Sequence, residues 1–235
     1  DAGIEAWTGE FNAIDVAIGD FSSTSSAEAI GIATGSGKDT ITNSGTISAA
    51  ATADALVGNF TLTMIDFTAI PDIMDTVGTA STEVDAAAVG ISSGIQDDTV
   101  VSTGDITASA AAEAISIAVG VGAEGIPAGV PQGDIVEFEN LASAGVFVDS
   151  QATGIDSGSG ADTITNSGNI TADASATFWG GNLSLSLPLL EKWVPIPSPA
   201  FAMISAGTEV GAEAAGIRAD EGDDLIHNEG DLDID

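Results

Sequence analysis

The stretch GIATGSGKDTITNSGTISA, residues 31–49, decides the fold, because it returns three more times without gaps. It reappears as GISSGIQDDTVVSTGDITA at 90–108, as GIDSGSGADTITNSGNITA at 154–172 and as GIRADEGDDLIHNEGDLDI at 216–234. Its aspartate recurs as Asp39, Asp98, Asp162 and Asp224, at intervals of 59, 64 and 62 residues. The same intervals separate Gly45, Gly104, Gly168 and Gly230. Matched copies at a nearly fixed interval signal a repeat architecture, in which each copy is one structural unit and the units stack.

Within a unit the pattern is that of strands. Apolar and polar residues alternate in Glu83-Val84-Asp85-Ala86 and in Ile170-Thr171-Ala172-Asp173-Ala174, a period of two. Thr40-Ile41-Thr42-Asn43 and Thr163-Ile164-Thr165-Asn166 are β-branched runs bounded by glycine corners. The alanine-rich run Ala108–Ala118 suits a helix by propensity, but its alternation and its neighbours favour a strand. Each unit therefore reads as a strand, a glycine corner, the Asp-Thr-Ile-Thr-Asn strand, a second corner and an Ile-x-Ala-x-Ala strand. We expect residues 1–235 to form a single all-β repeat domain, a right-handed parallel β-solenoid of about four coils. Its corner motifs fall near 31–50, 90–109, 154–173 and 216–235. A sandwich of hairpins ranks second, since it does not call for the same corner residues at every turn.

Apolar, variable stretches at 56–80, 115–148 and 178–207 separate the copies. They contain all seven prolines and two of the three tryptophans, Trp179 and Trp193. They read either as return strands that widen the coil or as lateral lobes that contact a partner.

Charge narrows the function. The chain carries 36 acidic residues against three basic ones, Lys38, Lys192 and Arg218, for a formal net charge of −33. Such a surface repels nucleic acid and anionic membranes, which need a basic face. It tolerates its own repulsion by binding cations or by residing in salt. The absence of cysteine removes disulfides and thiolate metal sites. With no run of 18 apolar residues, no membrane span is expected. The sequence reads as a processed segment of a secreted precursor, extracellular or at the cell surface.

Ile4, Ile47, Ile106, Ile170 and Leu232 are expected to share one phase of the repeat. Neither end carries a capping helix, a proline-studded edge or a lysine guard of the kind that seals a solenoid. Four coils at about 4.8 Å each give a block only about 19 Å tall. Unsealed ends imply head-to-tail stacking of subunits, a homopolymer, or a slice of a longer array.

Thr34-Gly35-Ser36-Gly37-Lys38-Asp39-Thr40-Ile41-Thr42 and Ser157-Gly158-Ser159-Gly160-Ala161-Asp162-Thr163-Ile164-Thr165 carry a Gly-x-Gly-x-Asp core. These nonapeptides resemble the turns of RTX calcium-binding β-rolls, each lacking the first glycine. The resemblance implies Ca²⁺, held by turn carbonyls and by Asp39 and Asp162, with Asp98 and Asp224 as more distant matches. The second copy has Gln96 where the turn glycine stands, and the fourth retains only Gly222. Stacked corners would place the four aspartates about 4.8 Å apart, each neighbour repulsion costing about 3 kcal/mol at an effective dielectric near 20. Asp97, Asp220 and Asp223 add to it. Bound Ca²⁺, raised pKa values, or carboxylates turned onto backbone N–H groups as Asx turns would relieve it.

Asn43, Asn166 and Asn228, with Ser102 in the equivalent place, are expected to form a hydrogen-bonding ladder along the stack. Thr-Ile-Thr-Asn-Ser-Gly also resembles the corner repeats of bacterial haemagglutinin-like and autotransporter-passenger β-helices, which implies a surface scaffold or adhesin. No catalytic set is expected. His227 is the only histidine, so no histidine triad or multi-histidine metal centre can be assembled. The sequence thus points to an extracellular structural protein, a solenoid subunit that stacks into a filament, with Ca²⁺ neutralising acidic corners. The runner-up is an adhesin module that binds a surface glycan through Trp7, Trp179 or Trp193.

Overall fold

Strand pairing in this chain links residues about sixty positions apart, and always in parallel. The computed structural model describes residues 2–9, 19–64, 78–124, 142–188 and 204–235. A leading strand, β1 (Ala2–Gly9), precedes four coils of three strands each. The first coil is β2 (Gly19–Ala33), β3 (Thr40–Asn43) and β4 (Ile47–Met64). The second is β5 (Gly78–Ser92), β6 (Thr99–Ser102) and β7 (Ile106–Glu124). The third is β8 (Ala142–Asp156), β9 (Thr163–Asn166) and β10 (Ile170–Pro188). The fourth is β11 (Ile204–Arg218), β12 (Leu225–Asn228) and β13 (Leu232–Ile234). No helix occurs among the described residues, so none there is long and apolar enough to cross a membrane.

Equivalent strands stack into three parallel sheets, ordered β1-β4-β7-β10-β13, β2-β5-β8-β11 and β3-β6-β9-β12. This is a parallel β-solenoid, and the hairpin sandwich is excluded by the direction of every pairing. The four corner copies lie in step. Ile41 pairs with Val100, Val100 with Ile164 and Ile164 with Ile226.

The described parts of the variable stretches belong to the coil. β4, β7 and β10 run on to Met64, Glu124 and Pro188, and β5, β8 and β11 begin at Gly78, Ala142 and Ile204. The intervening 65–77, 125–141 and 189–203 lie outside the described residues, and with them Trp193.

The core divides by side-chain size. Between the two long sheets it is a thin slab of small residues, with Ala49, Ala51, Ala53 and Ala55 stacked on Ala108, Ala110, Ala112 and Ala114. Alanine lets those sheets approach closely enough for Ser150 Oγ to donate across the slab to the Ala110 carbonyl at 2.9 Å. Toward the short sheet the core widens and fills with Ile41, Ile47, Ile91, Val100, Ile106, Ile155, Ile164 and Ile170.

Glycine marks the passage from slab to wedge. Along β5 the buried positions are Thr82, Val84, Ala86 and Ala88, and then the parity switches so that Ile91 and Ser93 are buried. Gly90 sits at the switch. A Cβ there would lie 2.3 Å from Ile106 Cγ2 and 2.5 Å from the Gly154 carbonyl oxygen, and Gly31 and Gly154 are placed alike.

One expected register is corrected. Ile4 pairs with Ala53, six positions beyond Ile47, so it shares the alanine rows and not the Ile47–Ile106–Ile170–Leu232 column. The signal misread was the isoleucine itself, since β1 presents Ala2, Ile4 and Ala6 where β4 has only alanines.

Candidate functional site

The glycine corner before each short strand carries the acidic residues, and stacking turns them into columns. The backbone N–H of Asp39 donates to Asp98 Oδ1 at 2.7 Å, that of Asp98 to Asp162 Oδ1 at 2.8 Å, and that of Asp162 to Asp224 Oδ1 at 2.9 Å. The structure therefore brings all four expected aspartates together, as one column with one carboxylate per coil. Asp98 and Asp162 are almost completely buried, at 2% and 1% exposure. Relief of their repulsion comes from backbone N–H groups, but those of the preceding coil and not of the residue's own turn. A charge-assisted bond of this kind is about twice as strong as a neutral one.

The second carboxylate oxygen has no such partner. Oδ2 of Asp39, Asp98 and Asp162 is buried without a hydrogen bond. A Ca²⁺ ion takes six to eight oxygens, commonly several of them carboxylate. Among the described residues no three His, Cys, Asp or Glu side chains converge as a metal-holding group. The column thus offers an ion one unpartnered carboxylate oxygen in each of the first three coils, with no cage of acidic side chains around it among the described residues.

The outlying acids take separate roles. Asp97 accepts from Lys38 Nζ on the coil before and from the Ala161 N–H, 3.1 Å away on the coil after. The Lys38 ammonium first, then that N–H, holds the Asp97 carboxyl below the usual range. Asp220 is exposed, and its backbone N–H donates to the Gly158 carbonyl at 3.1 Å. Asp223 is exposed at the corner. Gln96, in the place of a turn glycine, adopts a φ of 83°.

A second column follows at the next corner. Asn43 Nδ2 donates to Ser102 Oγ at 3.0 Å, and Asn166 Nδ2 donates both to the Gly168 carbonyl at 2.6 Å and to Asn228 Oδ1 at 2.7 Å. Ser102 turns its hydroxyl to the Gly104 carbonyl instead, which leaves Asn166 Oδ1 buried and unpartnered. Asn43 also closes an Asx turn on the Gly45 N–H at 3.1 Å. A third column escaped the sequence reading. Thr34 Oγ1 donates to the Ser93 carbonyl at 2.7 Å and Ser93 Oγ to the Ser157 carbonyl at 3.0 Å. Its signal was the small hydroxyl residue three positions after the first glycine in the first three repeats, Ala219 standing there in the fourth.

An apolar row also crosses the long sheet. Leu56, Ile115 and Trp179 are in register across β4, β7 and β10, and Trp7 of β1 pairs with Leu56. Trp179 is 65% exposed. His227 is exposed, with Nε2 3.0 Å from Glu229 Oε1. No protein-family model, curated protein or solved structure matches this chain.

Proposed function

We propose that the chain is an extracellular architectural protein, a solenoid block that adds coil upon coil into a filament or surface scaffold, without a catalytic role. The observation that carries this reading is the in-step stacking of the four corner copies, with Asp39, Asp98, Asp162 and Asp224 linked in one unbroken column. Exposed strand edges recruit further strands. The resemblance of the corners to RTX rolls and to haemagglutinin-like repeats supports a location outside the cell.

Ca²⁺ belongs to this reading as the counter-ion of an acidic corner. The unpartnered Oδ2 atoms of Asp39, Asp98 and Asp162 support it, with turn carbonyls or water supplying the other ligands. The experiment is electron microscopy of the purified chain in Ca²⁺ and in chelator, alongside thermal melts of both samples. Filaments, more stable in Ca²⁺, are expected. Single particles of one coil block in both conditions would overturn the architectural reading, and equal melts would remove the ion.

The apolar row supports a second reading, a glycan-binding module. An exposed tryptophan on a flat sheet offers a stacking face for a sugar ring. Binding on a glycan array that Trp179→Ala abolishes would favour it.

A further inference from the structure

We infer that the outer face of the β2-β5-β8-β11 sheet holds a site for a linear aliphatic polyamine. Its methylene chain lies on the Phe147 ring, and its ammonium groups reach Glu83 on one side and Glu209 on the other. This face is separate from the corner columns and from the sheet that carries Trp179.

Strand parity builds the face. Val146 and Val148 are buried in the slab, so Phe147 between them points outward and is 51% exposed. β8 is an inner strand, with β5 and β11 paired on its two sides. Register places Glu83 of β5 and Glu209 of β11 directly beside Phe147, and both are exposed. Adjacent strands lie about 4.8 Å apart, so the two glutamates stand about 9.6 Å apart at the backbone, with the aromatic residue midway. The floor beside this row is open. Gly145 pairs with Gly207, where a Cβ would have nothing within 4 Å.

The negative charge here goes unanswered among the described residues. One outward position further along, Asp85 and Asp149 are in register, and like charges directly opposite destabilise a sheet. Burial first, then Glu83 and Asp149, raises the Asp85 pKa, a sign of carboxylates crowded without a counter-charge. Of the described lysine and arginine side chains, Lys38 pairs with Asp97 and Arg218 with Glu213, so neither neutralises Glu83 or Glu209.

The arrangement selects the kind of cation. Among the described residues no three acidic side chains converge as a metal-holding group, so this face offers no cage to a compact ion. It offers a line instead: carboxylate, aromatic ring, carboxylate. A linear diammonium repeats that order as charge, apolar chain, charge. Its methylenes cover the ring, and an ammonium passing over the ring gains a cation–π contact. Each exposed ion pair alone contributes little, but the second forms intramolecularly once the first is made. Longer polyamines carry further ammonium groups for Asp85 and Asp149.

The probes are α,ω-diaminoalkanes of increasing chain length and a monoamine, titrated into the whole chain and read by ligand-observed NMR. The salt is physiological, where charges beyond about 8 Å are screened. Affinity should pass through a maximum with chain length, the best diamine binding about fivefold tighter than the monoamine. Phe147→Ala should weaken that diamine about threefold. Glu83→Gln or Glu209→Gln should bring it down to the monoamine's level. A double variant Asp54→Asn, Glu113→Gln removes two charges from the other long sheet and should change affinity less than about twofold. All five positions lie on outer faces, so the variants are expected to fold, as circular dichroism checks. Affinity that tracks charge alone, with no preferred length and an equal loss in the double variant, would overturn the site in favour of diffuse counter-ion attraction. Phe147→Ala binding as tightly as the parent would overturn it too. A lysine-rich peptide that binds through Phe147 and Glu83 where no diamine does would overturn it in favour of a basic protein partner.

Discussion

The backbone N–H of Asp98 lies 2.8 Å from Oδ1 of Asp162, a residue 64 positions later and one coil further along. A residue chosen as a metal ligand thus serves first as a clasp between coils. Asp162→Ala leaves the Asp98 N–H buried and unpaired, at a cost of about 1–3 kcal/mol. Asp162→Asn keeps the Oδ1 acceptor and removes one charge from the column, so its urea midpoint should lie above that of the alanine variant. An asparagine variant no better than alanine would show that the hydrogen bond is not what Asp162 contributes.

Ser102 interrupts the asparagine column and strands Asn166 Oδ1. An asparagine there has the two donors needed, one for the Gly104 carbonyl and one for Asn166, the arrangement that Asn166 itself makes with Gly168 and Asn228. Ser102→Asn should stabilise the fold by about 1 kcal/mol. The gain should vanish in an Asn166→Ala background, a double-mutant cycle that separates the new bond from a general effect.

Gly90 admits no side chain, because a Cβ would meet Ile106 and the Gly154 backbone inside contact distance. Gly90→Ala should cost about 3 kcal/mol or more by chemical denaturation, at the upper end for overpacking. Gly45→Ala is the control: its Cβ would have nothing within 4 Å. Its effect should stay within about 0.5 kcal/mol.

Asp85 stands in register with Asp149 on the next strand, with Glu83 two residues away. Burial first, then Glu83 and Asp149, raises its pKa above the ordinary 3.8. A carboxyl raised in the folded state contributes stability fully present below its unfolded pKa and lost as pH rises through the folded value. At neutral pH the charged Asp85 therefore destabilises. Asp85→Asn should raise stability at pH 7 by up to about 1 kcal/mol, the range for solvent-screened charges. The advantage should close as the pH falls below about 4, read from melting temperatures of both proteins across that range.

The fold was legible because the corner residues are fixed by backbone demands that repeat at every rung. Asp39, Asp98, Asp162 and Asp224 coincide in sequence interval and in space because each holds the N–H of the previous one. The long strands were harder to see. Leu183, Leu185 and Leu187 alternate with serine and asparagine, and Phe60, Leu62 and Met64 with threonine, a period of two hidden by changing residue identity from coil to coil. Their partners are set by register and not by likeness, as where Leu183 pairs with Val119. The direction of the carboxylates was not legible. Sequence places an aspartate at a corner, but only the stack decides whether it turns to its own backbone, as Asp156 does toward the Gly158 N–H, or to its neighbour's.

Because Asp39 meets Asp98 in the same manner as Asp98 meets Asp162, the aspartate contacts above and below an inner coil are alike. Excising or duplicating one complete turn of the spiral keeps this aspartate contact intact. Reach is then a matter of counting turns, adjustable in steps of about 4.8 Å with that contact unchanged.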